Sequence, residues 1–244
     1  MVPILKSYYK EMFFEFLNHE ESRDTIILLA GFPSNNNYDE IIRFLFDKGY
    51  NVLFPRFKGM YQSKGEFLEG NYLEELREFI SEVPNSKIQS LWDDKLHEIK
   101  TNKTILFSSS FSGAIACNLG KSNDIDKLIL FSPVLDYSNH NNNGNEQELG
   151  SLTNFVKKAY NNCYRFNFLN IQDKLAENSE LSLENLKKDI NNKIMILHDK
   201  EDKEVSYDKS KQFCDETKNL LLTHSMGHGM NINTIKENFQ RLSL

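Results

Sequence analysis

Six short, nearly continuous apolar runs punctuate the chain, at residues 25–29, 51–54, 104–107, 128–131, 193–197 and 220–223. Each is short and bounded by polar or turn-forming residues, so each predicts a buried strand. Between them, helices are predicted. Residues 38–48 carry Ile41, Ile42, Leu45 and Phe46 on one stripe that ends at Gly49. Further helices are predicted at 114–119, 206–217 and 232–242. Residues 73–82 and 88–99 read as a helix broken at Val83-Pro84-Asn85. The alternating, aromatic stretch 8–17 predicts a strand that turns through 18–24 into the next one. Strands alternating with helices predict an α/β fold, with a mostly parallel central sheet covered by helices on both faces.

Residues 137–192 interrupt this rhythm and are too long for a simple connection. They open on a polar, low-complexity tract, 139–145, which is expected to be mobile. Two helical patches follow, near 152–160 and 182–190, with Tyr164, Phe166, Phe168 and Leu169 between them.

The length of 244 residues suits one α/β domain spanning 1–244, with the insertion at about 137–192. Lys6, Lys10, Glu11 and Glu15 break up the first twenty residues, which read as neither a signal peptide nor a membrane span. Three cysteines at unrelated spacings argue against a disulfide framework and a zinc site, so a reducing, cytoplasmic setting is expected. The net charge is −6 with no basic run, which argues against nucleic acid or an anionic membrane as partner.

The candidate chemistry begins at Ser108-Ser109-Ser110-Phe111-Ser112-Gly113, directly after the run 104–107. A nucleophile elbow needs a strand, a tight turn and a helix, with small residues two before and two after a central serine. Here both small positions are serine, and a polar loop capping a helix explains this stretch equally well. Downstream, the run 193–197 leads into acidic residues between His198 and Val205. The run 220–223 leads into His224-Ser225-Met226-Gly227-His228-Gly229. Serine, carboxylate and histidine in that chain order, each after a strand, form one of the known sequential layouts of the hydrolytic triad.

With these motifs the chain resembles the α/β-hydrolase superfamily, in particular its single-domain serine esterase and prolyl-oligopeptidase-like members, from about residue 13 onward. Residues 25–33 resemble the family's third strand and oxyanion loop, although Ala30 stands where a loop-supporting histidine usually precedes the glycine. Pro55-Arg56-Phe57-Lys58-Gly59, with Ser63 and Gly65, resembles the turn after the fourth strand. Ser132-Pro133 resembles the end of the sixth. The resemblance implies Ser110 as nucleophile and His228 as base. It implies Asp202 as the acid, from the pattern His198-x-x-x-Asp202-x-x-Val205, with Asp199 and Asp136 as alternatives. His224 and His198 are placed in or at the end of strands, His97 on a surface helix, His140 in the low-complexity tract and His19 in an early turn. The backbone N–H groups of Phe32 and Phe111 would form the oxyanion hole.

The fold so implied places a small helical cap after the sixth strand, and Tyr164 and Phe166 in it are expected to line the substrate pocket. The implied activity is hydrolysis of carboxylic esters through an acyl-enzyme, with no metal or organic cofactor. The substrate would be a small-molecule ester or a short peptide. A small serine peptidase, a thioesterase and a non-catalytic ligand-binding fold are the alternatives.

Overall fold

The computed structural model describes residues 2–35, 37–137, 149–169, 171–188 and 193–242. In chain order its elements begin β1 (Leu5–Tyr9), β2 (Met12–Leu17), β3 (Arg23–Leu29), α1 (Asp39–Asp47), β4 (Asn51–Pro55), α2 (Tyr72–Glu82), β5 (Lys87–Gln89) and β6 (Leu96–Glu98). Next come β7 (Thr101–Ser109), α3 (Gly113–Leu119), β8 (Lys127–Phe131), α4 (Leu149–Ala159), α5 (Ile171–Ala176) and α6 (Leu183–Leu186). The chain closes with β9 (Ile194–Asp199), α7 (Tyr207–Thr217), β10 (Leu220–His224) and α8 (Ile232–Asn238).

The six apolar runs are the parallel strands of an eight-stranded sheet ordered β1-β2-β4-β3-β7-β8-β9-β10. β1 and β2 add an antiparallel edge. Successive side chains of a strand face opposite sides, and the core divides accordingly. Ile27, Leu29, Leu53, Leu106, Leu130 and Ile196 pack on the α2, α3 and α7 side. Ile26, Leu28, Val52, Phe54, Phe107 and Leu197 pack on the α1 and α8 side. From β3 the chain first steps outward to β4, then returns past β3 to β7 and continues the other way. Strand order therefore reverses between β3 and β7, and a crevice opens at their carboxyl ends, where ligands bind in open α/β sheets.

Three predicted elements differ. Residues 8–17 are not one strand: Lys10 adopts φ 52° and turns β1 back on β2 as an antiparallel hairpin. The charged pair Lys10-Glu11 at the turn is the polar interruption within otherwise aromatic flanks. Residues 88–99 are not helical. They form the β5–β6 hairpin, closed by a bond from Ser90 N–H to the Lys95 carbonyl (2.9 Å), and His97 accordingly lies in a strand. Leu91, Trp92 and Leu96 are 60%, 63% and 67% exposed, so these apolar residues face no core. The 232–242 helix ends at Asn238 and tightens into a 3₁₀ turn over Phe239–Leu242.

Within 137–192 the first helical patch is α4, and the second is the four-residue α6 preceded by a 3₁₀ turn at Ser179–Leu181. α5 is additional. The tract 139–145, His140 and the end of the second patch lie outside the described residues.

Candidate active site

The crevice between β3 and β7 brings together the loop after β3 and the turn after β7. Ser110 sits at φ 50°, in the left-handed region that a non-glycine residue occupies only under constraint. The surrounding serines supply that constraint. Ser108 and Ser112 are fully buried with their hydroxyls 2.7 Å apart, and Ser112 Oγ also bonds the Leu29 carbonyl (3.1 Å) and accepts from Ser109 N–H (3.1 Å). Where glycines would only leave room, these hydroxyls tie the turn to β3. Ser109 caps the turn reciprocally with Ser112, and its Oγ accepts from Met230 N–H at 2.9 Å. The turn is thereby joined directly to the loop after β10.

That loop delivers His228. Its Nε2 lies 2.9 Å from Ser110 Oγ and its Nδ1 lies 2.8 Å from Asp202 Oδ2. With Nδ1–H donating to the carboxylate, Nε2 is left to accept from the serine hydroxyl. The Asp202 side chain has no exposed surface. Its Oδ1 accepts from Glu204 N–H (2.8 Å) and Val205 N–H (3.1 Å), while His198 Nε2 lies 3.3 Å from Oδ2. Burial pushes this carboxyl up, but the hydrogen bonds from His198, His228 and Val205 outweigh it and hold the group well below the usual carboxylate range. His198, itself fully buried, is braced by Ser210 Oγ at 2.8 Å from Nδ1.

Asp199 does not meet His228. Its carboxylate accepts from Glu201 N–H (2.9 Å) and Gly227 N–H (2.8 Å), lashing the acid loop to the histidine loop. These backbone donors, Glu201 first, lower its pKa. Asp136 lines the cavity beside Ser110. His224, in β10, accepts from Met226 N–H through Nδ1 (3.1 Å), and burial lowers its pKa.

Gly31 lies against the nucleophile: a Cβ built there would stand 3.3 Å from Ser110 Cβ. Phe32 follows directly, its ring packed on Phe67, Phe111 and Tyr164 at centroid distances of 5.2, 5.5 and 5.1 Å. The backbone amides of Phe32 and Phe111 thus come from the two loops that meet at Ser110. Tyr137 donates its hydroxyl to the Phe111 carbonyl.

A cavity of about 860 Å³ opens beside Ser110. Phe111, Val134, Tyr137, Leu152 and Tyr160 are among its walls, and its charged lining residues are Glu40, Asp136 and Glu204, with no lysine or arginine among the described ones. Tyr164 and Phe166, expected to line it, do not. Tyr164 is buried with its hydroxyl engaged by the backbone of Ser34, and Phe166 stacks on Phe168 with centroids 4.7 Å apart. From residues 149–188 the lining residues are instead Leu152 and Tyr160. No sequence pattern marks them, since which side of α4 and of the turn after it meets the cavity depends on tertiary packing. Ser109 was equally hidden, one more serine in a run of them. Among the described residues, no group of three His, Cys, Asp or Glu side chains is placed to hold a metal ion.

No protein-family model matches the sequence, and no curated protein matches it. Solved structures do. The esterase Pf2001 of Pyrococcus furiosus superposes with a TM-score of 0.68 at 15% identity, covering 99% of this chain and 88% of that one. MGS-MChE2, an α/β hydrolase enzyme from the metagenome of lagoon sediments at Mar Chica, Morocco, gives 0.61 at 19% identity, covering 98% and 95%. The thioesterase domain from the curacin biosynthetic pathway gives 0.61 at 14% identity, covering 96% and 95%. By strand order and by these likenesses, the chain has the α/β-hydrolase fold.

Proposed function

We propose that the protein is a serine hydrolase that cleaves carboxylic esters through an acyl-enzyme. The observation that carries this reading is the continuous chain of contacts from Ser110 Oγ through His228 to Asp202, at 2.9 and 2.8 Å, on a serine held at φ 50°. A serine hydroxyl is a weak nucleophile at neutral pH unless a base takes its proton as it attacks. His228 Nε2 is within reach to do so, and Asp202, kept ionised, stabilises the imidazolium.

In the reaction, Ser110 Oγ bonds to the substrate carbonyl carbon while its proton moves to His228 Nε2. The carbonyl oxygen becomes an oxyanion facing the N–H groups of Phe32 and Phe111. Collapse expels the alcohol, which takes the proton from Nε2. Water, deprotonated by the same nitrogen, then attacks the acyl-enzyme and releases the acid and the free serine.

Thioester cleavage is the second reading, suggested by the likeness to the curacin-pathway thioesterase domain. The cavity lining works against coenzyme A esters, because their phosphates would meet Glu40, Asp136 and Glu204 with no lysine or arginine among the described lining residues. The three cysteines are free, which suits a reducing compartment, and we place the activity in the cytoplasm. Among the described residues no helix is long and apolar enough to cross a membrane.

A fluorophosphonate probe and a p-nitrophenyl ester series test the proposal. Stoichiometric labelling at Ser110 and ester turnover are expected, with both abolished by Ser110→Ala. Adding Asp202→Ala to Ser110→Ala should cost little more, because such residues act as a unit. A folded protein that neither labels nor turns over any ester, thioester or aminoacyl anilide would be a binding module instead.

A further inference from the structure

The loop carrying Gly31 and Phe32 is tied down by hydrogen bonds from tyrosines distant in the chain. Its anchor is Ser34. The Tyr164 hydroxyl accepts from Ser34 N–H at 2.7 Å and donates to the Ser34 carbonyl at 3.0 Å. The Tyr61 hydroxyl donates to the same carbonyl at 2.7 Å. Both Ser34 and Tyr164 are buried, and the Tyr164 ring meets Phe32 edge-on, 5.1 Å between centroids. Tyr164 is itself held in place. Its neighbour Arg165 donates to the carbonyls of Tyr61, Ser63 and Gly65, and Arg165 N–H bonds the Gly59 carbonyl at 2.8 Å.

We infer that Tyr164, with Tyr61 in support, is a positioning residue for the oxyanion hole: it fixes the Phe32 amide from two residues downstream. The inference rests on the reading of Ser110 as nucleophile. Removing the Tyr164 hydroxyl takes away both bonds it makes to the buried Ser34 backbone, which loosens the loop. A displaced amide weakens binding of the oxyanion without weakening binding of the neutral ester, so the loss falls on turnover.

The test is Tyr164→Phe, which keeps the ring packed on Phe32. The expected result is a fall in kcat of roughly tenfold or more with KM within about twofold, and an equal rise in the inhibition constant of an alkyl boronic acid, which forms a tetrahedral adduct with serine. Tyr61→Phe should show a smaller loss of the same kind and takes over the test should Tyr164→Phe fail to fold. Phe168→Leu, in the same segment without a bond to Ser34, should leave kcat within about twofold. Unchanged kcat in a folded Tyr164→Phe protein, or a change confined to KM, overturns the inference. Amide hydrogen exchange over residues 31–35 should quicken in Tyr164→Phe, and it reads the clamp even where the wild-type protein turns over no ester. Unchanged exchange there also overturns it.

Discussion

Asp202 is shared between two imidazoles, and only one of them reaches the serine. His228 is partly exposed, whereas His198 is sealed behind the carboxylate. His198 Nε2 lies 3.1 Å from the Val205 carbonyl and 3.3 Å from Asp202, so that nitrogen carries the proton, and Nδ1 accepts from Ser210. The tautomer is thus fixed from behind. A hydrogen bond to a buried charge is worth about 1.5–3 kcal/mol, so His198→Gln should lower kcat by roughly tenfold while KM stays nearly constant. Steady-state kinetics on p-nitrophenyl esters, with thermal unfolding as the check on folding, measures this. Equal losses in kcat and in folded protein would reduce His198 to a packing residue.

At the scale of elements, the turn after β7 is laced to the loop after β8. Val134 N–H donates to the Ser110 carbonyl and Ala114 N–H donates to the Val134 carbonyl, both at 2.9 Å. That closeness needs Gly113, where a Cβ would lie 2.5 Å from Pro133 Cβ and 2.8 Å from the Val134 oxygen. Gly113 has φ −58°, so alanine there meets only a steric objection. Gly113→Ala should destabilise the fold by about 1–3 kcal/mol, as overpacking does, and should slow fluorophosphonate labelling because Ser110 moves with α3. Urea unfolding and labelling rates check both. Such contacts are invisible in a sequence, which explains what was legible and what was not. The inner strands could be read because burial on both faces demands unbroken apolar runs. The β5–β6 hairpin could not, because its apolar residues Leu91, Trp92 and Leu96 are mostly exposed and no buried pattern marks the strands. Ser110, Asp202 and His228 stood out because triad chemistry restricts residue type and chain order together. Leu152 and Tyr160 obey no such rule, and the aromatic appeal of Tyr164 and Phe166 pointed to side chains that pack or anchor elsewhere.

Viewed whole, most of the described chain that lines the crevice carries no fixed positive charge. Lysine and arginine are absent from residues 24–35, 37–42, 104–120, 128–137, 149–156 and 219–235, the described stretches that supply the serine, the histidine and most of the cavity wall. With a net charge of −6 and three carboxylates in the lining, the local potential disfavours anions. An ester with a carboxylate on its acyl chain should therefore show kcat/KM roughly tenfold or more below its uncharged isostere, the gap shrinking as salt is raised. Equal rates at low ionic strength would remove charge as a selectivity device. The bond between Tyr164 and Ser34 has a wider consequence. In this chain the segment that lends Leu152 and Tyr160 to the cavity and the loop that carries Phe32 share a brace, so they are not interchangeable modules. Transplanting a foreign segment in place of 149–188 to change substrate preference would remove that brace as well and leave residue 34 held by Tyr61, so a chimera would need its loop re-anchored before its altered pocket could be judged.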